Sequence, residues 1–257
     1  MLIVPFRPFL RLALTVLAGF ALLAMLASCG PTRAVAPGEP FDPFEAENRQ
    51  MHAFNKSLDR NVIRPVAQGY TAFVPDDVET LIRRFAFHVS IPRAIVSNMF
   101  RGNMKAATED LYRFTVNSTL GLGGFFDPAT ELNMPAASDA DFGQTLHAWG
   151  VPAGAYVELP FLGPSTERHT LGRTVDFFLG PQDFLLSQRA RRTLTGVYAV
   201  SLVGDRARLG GTIDELLYES ADSYAQVRSL YLQNRAFKLG DGGADAYLDP
   251  YDDPYDQ

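Results

Sequence analysis

Cysteine is all but missing from this chain: Cys29 is the one such residue in 257. With no second thiol an internal disulfide is impossible, so a folded body has to rely on its own core. Histidine is scarce as well. His52, His88, His147 and His169 make neither an HxxxH nor an HxxE pairing, and no metal site is expected from them. A hydrolase elbow is lacking, because Gly163-Pro164-Ser165-Thr166-Glu167 departs from GxSxG at its last position and puts a proline before the serine. Gly121-x-Gly123 lacks the third glycine of a dinucleotide fingerprint, where Phe126 stands, and it follows a helical pattern rather than a strand. No catalytic residue and no cofactor are expected, although His169 with Asp176 or Asp183 could still meet Ser165 in space. There is also no basic stripe. Setting aside Arg7 and Arg11 leaves 23 − 2 = 21 basic residues, and setting aside the six Asp beyond Lys238 leaves 29 − 6 = 23 acidic ones, so the body is close to neutral and nucleic acid is excluded as a partner.

Long apolar runs are confined to the amino terminus. Arg7 and Arg11 precede an uncharged run over residues 12–26, and no acid comes before it, which is the order of a secretory signal. The run ends in Leu26-Ala27-Ser28-Cys29, the lipobox pattern of bacterial lipoproteins. Residues 1–28 therefore read as a signal peptide and Cys29 as the acylated first residue of the mature protein. A single spanning helix is the alternative reading of the same run. Gly30 stands where an inner-membrane retention signal would have Asp, which directs the anchor to the outer membrane. Residues 29–41, rich in Pro and small side chains, read as a flexible tether. The acidic, turn-forming tail over residues 239–257 reads as disordered.

Period-2 runs are lacking too, and helical spacing takes their place, so the body over residues 42–238 is expected to be mainly α and a single domain. Asp42-Pro43 reads as N-cap and first helical residue, followed by Phe44, Asn48, Met51, Phe54 or Asn55, and Leu58 along one face. Arg64-Pro65 and Val74-Pro75 read as breaks, and Ile91-Pro92 as a kink or an end. Ala107, Leu111, Phe114 and Ser118 mark a helix over residues 104–120, for which Gly121 would be the left-handed cap. Residues 182–209 and 220–238 read as the last long helices, with a short piece at 212–219 between them. Arg189, Arg191 and Arg192 form a solvated face or a contact for lipid phosphates.

Residues 114–164 lack Lys and Arg altogether and are crowded with glycine and aromatics. A segment this apolar has to face a core, a partner or lipid. Leu120, Leu122, Phe125 and Phe126 could satisfy acyl tails. Asn48, Asn55, Asn117 and Ser118 could face a headgroup or belong to a buried polar network. Gly121, Gly123 and Gly124 would let such a lining bend as a gate.

Several blocks occur in a fixed order: Asp42-Pro43-Phe44-Glu45, Asn48-Arg49, Phe54-Asn55, Arg64-Pro65-Val66, the run from Asn117 to Asp127 (NSTLGLGGFFD), Phe142-Gly143-Gln144-Thr145-Leu146, Gly150-Val151, the run from Tyr156 to Ser165 (YVELPFLGPS), Asp222-Ser223-Tyr224 and Val227-Arg228. In order and spacing this set resembles the MlaA family, also called VacJ. His147-Ala148-Trp149 and Arg168-His169-Thr170 depart from the tyrosine and acidic residues expected there. The resemblance implies a lipoprotein of the outer membrane, a helical ring in the periplasm-facing leaflet around an amphipathic channel. It implies phospholipid taken from the outer leaflet and handed to a periplasmic carrier protein of the Mla system, beside a trimeric porin. A structural lipoprotein scaffolding a porin is the alternative, and a lipid hydrolase a further one.

Overall fold

The computed structural model describes residues 41–179 and 186–240. The signal and tether expectations, Cys29 among them, Asp183, the first residues of the helix expected from residue 182, and the tail from residue 241 lie outside the described residues. The chain divides into a unit up to Pro43 and a unit from Phe44; the second carries every element below.

Helix α1 (Glu45–Leu58) begins with Phe44 at its N-cap, two residues later than Asp42-Pro43 predicts, and places Glu45 and Glu47 where a helix dipole favours acids. A π-helical turn (Asp59–Ile63) runs straight into α2 (Arg64–Phe73). Arg64-Pro65 thus does not break the chain, because Pro65 falls in a first turn, where its missing N–H goes unused. Val74, extended, and Pro75 separate α2 from α3 (Asp76–Phe100) as the sequence predicts. Next come α4 (Met104–Thr119), capped by the Asn103 side chain, α5 (Pro128–Glu131), capped by Asp127, and α6 (Phe142–Ala148), capped by Asp141. Strands β1 (Tyr156–Leu159) and β2 (Gly163–Thr166) pair antiparallel, with Tyr156 opposite Thr166 and Leu159 opposite Gly163. Then follow α7 (Glu167–Leu179), α8 (Gln188–Arg208) with Ser187 as cap, α9 (Gly210–Asp214) with a second π-helical turn (Glu215–Glu219), and α10 (Ser223–Leu239), opened by Asp222 and closed by left-handed Gly240.

Three further expectations change. Helix α3 passes through Pro92 without ending, because packing against α4, α6 and α8 outweighs the one rung that the proline removes. The left-handed residues after α4 are Leu122, Gly123 and Gly124 rather than Gly121. The hairpin was not legible as strands, since four residues in a Pro- and Gly-broken segment leave no alternation to read.

Helices from the two ends of the unit come together. Helix α8 packs on α2 and α3, α10 packs on β2, and α1 packs on β1. Ionic clamps join the same ends. The guanidinium of Arg206 donates to both carboxylate oxygens of Asp59 at 2.8 Å and to Asp214 at 2.6 Å, and Arg49 reaches Asp222 at 2.9 Å.

The polarity of the helices is inverted. On α1 the buried positions are Asn48 and His52, followed by Asp59 at the next turn, whereas Phe54 is 46% exposed. On α4 they are Ala107, Asp110, Arg113 and Asn117, whereas Leu111 lies outside. Buried apolar residues across the unit are mostly alanine. Large apolar side chains are turned outward on almost every element, from Phe73, Phe87 and Phe100 to Phe177, Leu202 and Phe237. On α1 the expected face is only partly outward: Phe54 is exposed, Phe44, Met51 and Leu58 are half-buried, and Asn48 of the same stripe is buried, because its amide and the neighbouring His52 and Asp59 find polar partners inside.

Candidate lipid-contact site

The turn after α4 is built from hydrogen bonds that fold the backbone back on the helix end. The N–H of Gly124 donates to Asn117 O at 2.9 Å and the N–H of Phe126 to Gly121 O at 3.0 Å. A Cβ on Gly121 would lie 2.5 Å from the carbonyl oxygens of Asn117 and Phe126, and one on Gly124 would lie 2.2 Å from the His88 ring. Glycine at these two positions thus permits close approach. Gly123, at φ +76°, has open space around it. This packing turns the side chains of Leu120, Leu122, Phe125 and Phe126 outward. Leu122 is 68% exposed at φ +51°, a left-handed conformation that a leucine adopts only when its surroundings impose it. Phe125 stacks on Phe85 at 4.7 Å between ring centres. The β1–β2 hairpin repeats the device: Phe161 at its tip is left-handed (φ +65°), 71% exposed and set edge-on against Phe54.

Behind these apolar tips stand the residues named for a headgroup. Asn48 donates to Tyr156 O at 3.0 Å and accepts from the N–H of Glu158 at 2.8 Å. Asn55 donates to Leu159 O at 2.9 Å and accepts from the N–H of Phe161. The two amides pin the hairpin to α1. Asn117 donates to Asp127 Oδ1 at 2.8 Å and accepts from the N–H of Ala129, while Ser118 Oγ meets His88 Nε2 at 3.0 Å. All four side chains therefore bind the protein itself, the buried-network alternative of the sequence reading. Arg113 completes the second cluster through Asp127 at 2.6 Å, Thr130 and the carbonyl oxygens of Met134 and Pro135. Burial opposes the charge of Asp127, but Thr130, Asn117 and Arg113 outweigh it and hold the carboxyl below its usual range. The sequence reading missed Asp110 and Arg113, although their spacing with Ala107 and Asn117 is itself a helical stripe.

The possible meeting of Ser165, His169 and Asp176 takes another form in the structure. Ser165 is fully buried, and its Oγ accepts the Thr170 hydroxyl at 2.9 Å, so an acyl carbonyl has no approach to it. His169 Nδ1 meets the Tyr231 hydroxyl at 2.7 Å, and its Nε2 faces Asp141 rather than Asp176 at 4.0 Å. Burial first, then Arg235 and Arg173, pushes His169 down to about 4, so the ring is neutral at pH 7. Burial also works against the charge of Asp141, yet its hydrogen bond to Arg235 keeps it ionised. No group of three or more His, Cys, Asp or Glu able to hold a metal occurs among the described residues, and among these no helix is long and apolar enough to cross a membrane.

Residues 40–238 match the family described as MlaA lipoprotein. The chain belongs to the MlaA family. Its relatives include the intermembrane phospholipid transport system lipoprotein MlaA of Haemophilus influenzae, 32% identical over 89% of this chain and 90% of that protein, and that of Escherichia coli, 33% identical over 79% of each. An uncharacterized protein of Rickettsia felis is 33% identical over 74% of this chain and 75% of its own length. A solved structure, from work on the structural basis for maintenance of bacterial outer membrane lipid asymmetry, superposes with a TM-score of 0.67 at 31% identity, over 77% of this chain and 98% of that one. The MlaA-like blocks fall on the parts just described: Asn48 and Asn55 of α1, the turn from Asn117 to Asp127, α6, and the hairpin with Ser165.

Proposed function

We propose that this member of the MlaA family is anchored in the outer membrane through acylated Cys29, lies in the periplasm-facing leaflet, and moves phospholipid out of the outer leaflet toward a periplasmic carrier. The observation that carries this reading is the inverted polarity of the helical unit. In water, large apolar side chains are drawn inward, and a monomer seldom exposes more than a few hundred Å² of them in one patch. Here they lie outside on nearly every helix, while Arg, Asp, Asn and His pair within. That arrangement is stable against hydrocarbon, where unpaired polar groups cost most. A body in which no described helix is long and apolar enough to cross a membrane suits one leaflet rather than two.

Transfer of this kind requires no nucleophile. An acyl chain leaving the bilayer for water loses about 0.8 kcal/mol per CH₂, and an apolar lining removes most of that barrier. In this reading the helices ring an amphipathic channel, and Leu120, Leu122, Phe125 and Phe126 supply the acyl side of its wall. The polar clusters of Asn48, Asn55, Asn117 and Ser118 hold that wall in place. Gly123, the glycine of the three with room about it, is where the wall can gate. A trimeric porin beside the body and a soluble Mla carrier beneath it complete the route. The names of the H. influenzae and E. coli relatives support the substrate class, phospholipid.

The test is complementation of a bacterium lacking its own MlaA, with outer-leaflet phospholipid measured by a membrane-impermeant amine reagent. The full chain should lower the labelled fraction, whereas Cys29→Ser and the double variant Leu122→Asp/Phe126→Asp should not. A full chain that is expressed and acylated but leaves outer-leaflet phospholipid unchanged refutes the transport reading and leaves a scaffold.

A further inference from the structure

Helix α1, strand β1 and the start of α10 bring together a serine, a histidine and a glutamate that lipid transfer does not use. Ser223 Oγ lies 3.1 Å from His52 Nε2, and His52 Nδ1 lies 3.6 Å from Glu158 Oε1. A fourth group, the ammonium of Lys56, is 3.2 Å from the same Oγ. Because the three come from distant parts of the chain, no local motif announces them.

The hydrogen-bonding character of these groups fixes where the protons sit. An ammonium can only donate, so the Ser223 oxygen accepts from Lys56. Glu158 acts here as an acceptor: the Tyr156 hydroxyl donates to its Oε2 at 2.6 Å and the Asn55 amide to its Oε1 at 3.3 Å. A carboxylate facing Nδ1 favours the tautomer with the proton on that nitrogen, which leaves Nε2 bare. The hydrogen of Ser223 is then directed at Nε2. A hydroxyl held on a histidine that an acid orients is the arrangement that makes serine a nucleophile.

Access separates this serine from Ser165. Ser165 is fully enclosed, whereas Ser223 is 9% exposed and directly follows the exposed Ala221 and Asp222 at the first turn of α10. The group lying over its hydroxyl is the half-exposed Lys56, whose stem is flexible. Beneath it the His52 and Glu158 side chains, 7% and 2% exposed, are shielded from water.

We propose that Ser223, His52 and Glu158 form an ester-hydrolase site whose substrate is a phospholipid acyl ester. Ser223 Oγ bonds to the ester carbonyl carbon while its proton passes to His52 Nε2, and Lys56 faces the oxyanion that forms. Collapse breaks the bond to the alcohol oxygen, which takes the proton from His52. Water then attacks the acyl-serine, giving one proton through His52 back to Ser223 Oγ and releasing the fatty acid. Glu158 is a positioning residue that acts through His52. This activity is additional to transport; the transport reading contributes the lipid surface that brings the ester within reach.

The experiment uses the full chain in dodecyl maltoside. It is treated with a fluorophosphonate, whose fluoride an activated serine displaces, and the labelled peptide is read by mass spectrometry. Fatty acid released from dioctanoyl phosphatidylethanolamine is measured in parallel. The wild type should be labelled on Ser223 and should release fatty acid. Ser223→Ala and His52→Gln should each lower the release roughly a thousandfold, whereas Ser165→Ala should leave it unchanged. Glu158→Gln should lower kcat with KM unaltered, and Glu158→Asp should recover part of the loss. No label on Ser223 of the wild type overturns the site, as does absence of fatty-acid release or release undiminished in Ser223→Ala; the cluster is then a structural bridge between α1 and α10. Labelling of the wild type decides even where a variant fails to fold. Transport is read separately by outer-leaflet labelling, which Ser223→Ala should not alter, so the two readings fail independently.

Discussion

At the residue scale, the three glycines after α4 divide into two kinds. A Cβ at Gly124 would meet the His88 ring at 2.2 Å, and the backbone there stands at φ +94°. Gly123 shares the left-handed backbone and meets nothing. Gly124→Ala should therefore cost roughly 3 kcal/mol, from overpacking added to backbone strain, and Gly123→Ala about 1 kcal/mol, from strain alone. Denaturant unfolding in detergent reads both, and equal losses would show that His88 yields to the new methyl. That a tight turn follows α4 is legible in Gly121-Leu122-Gly123-Gly124. Which glycine is crowded is not, because the ring that crowds Gly124 is that of His88 on α3, 124 − 88 = 36 residues earlier in the chain.

At the scale of elements, α1 shows how a helical period can be read correctly and the centre of its buried stripe displaced. Phe44, Asn48, Met51 and Leu58 do recur at helical spacing, but burial is centred on Asn48, His52 and Asp59 with Asn55 beside them, and Phe44, Met51 and Leu58 are half-buried at the flank. The buried stripe is held by backbone groups of β1, by the Ser223 hydroxyl at 3.1 Å from His52 Nε2, and by Arg206. Spacing gives the face of a helix; partners brought from far along the chain decide which face is buried. Asn48→Ala would remove the donor to the carbonyl of Tyr156 and the acceptor for the N–H of Glu158, at a cost of about 2–4 kcal/mol. Limited proteolysis should then cut faster near the tip residues Pro160, Phe161 and Leu162 than in the wild type. An unaltered cleavage rate there would mean that β2 and α10 hold the hairpin without α1.

The stability of the whole molecule carries the mark of its polar interior. His169 is held down to about 4, and burial also lowers His88. The unfolded chain binds protons on these rings below pH ~6.5, where the folded one does not, so stability is complete above that pH and falls as the pH drops toward 4. His169, with a side chain only 10% exposed, accounts for roughly 2 kcal/mol of that fall. In unfolding scans between pH 7 and pH 4, His169→Gln should flatten the slope, and an unchanged slope would assign it to other groups. The carboxyls held low, such as Asp141 and Asp127, act only below this window.

The sequence by itself determined the helical class, the positions of α1, α4 and α10 to within a few residues, the turn after α4 and the family, because these depend on local spacing, caps and ordered blocks; α7 (Glu167–Leu179) was not read from it. The tertiary structure alone decided that polar stripes face inward and that Asn48 and Asn55 hold a hairpin. Each of these turns on groups far apart in the chain meeting where water is excluded. There the pairing of charge and amide, rather than the burial of leucine and phenylalanine, decides which side of a helix is the inside.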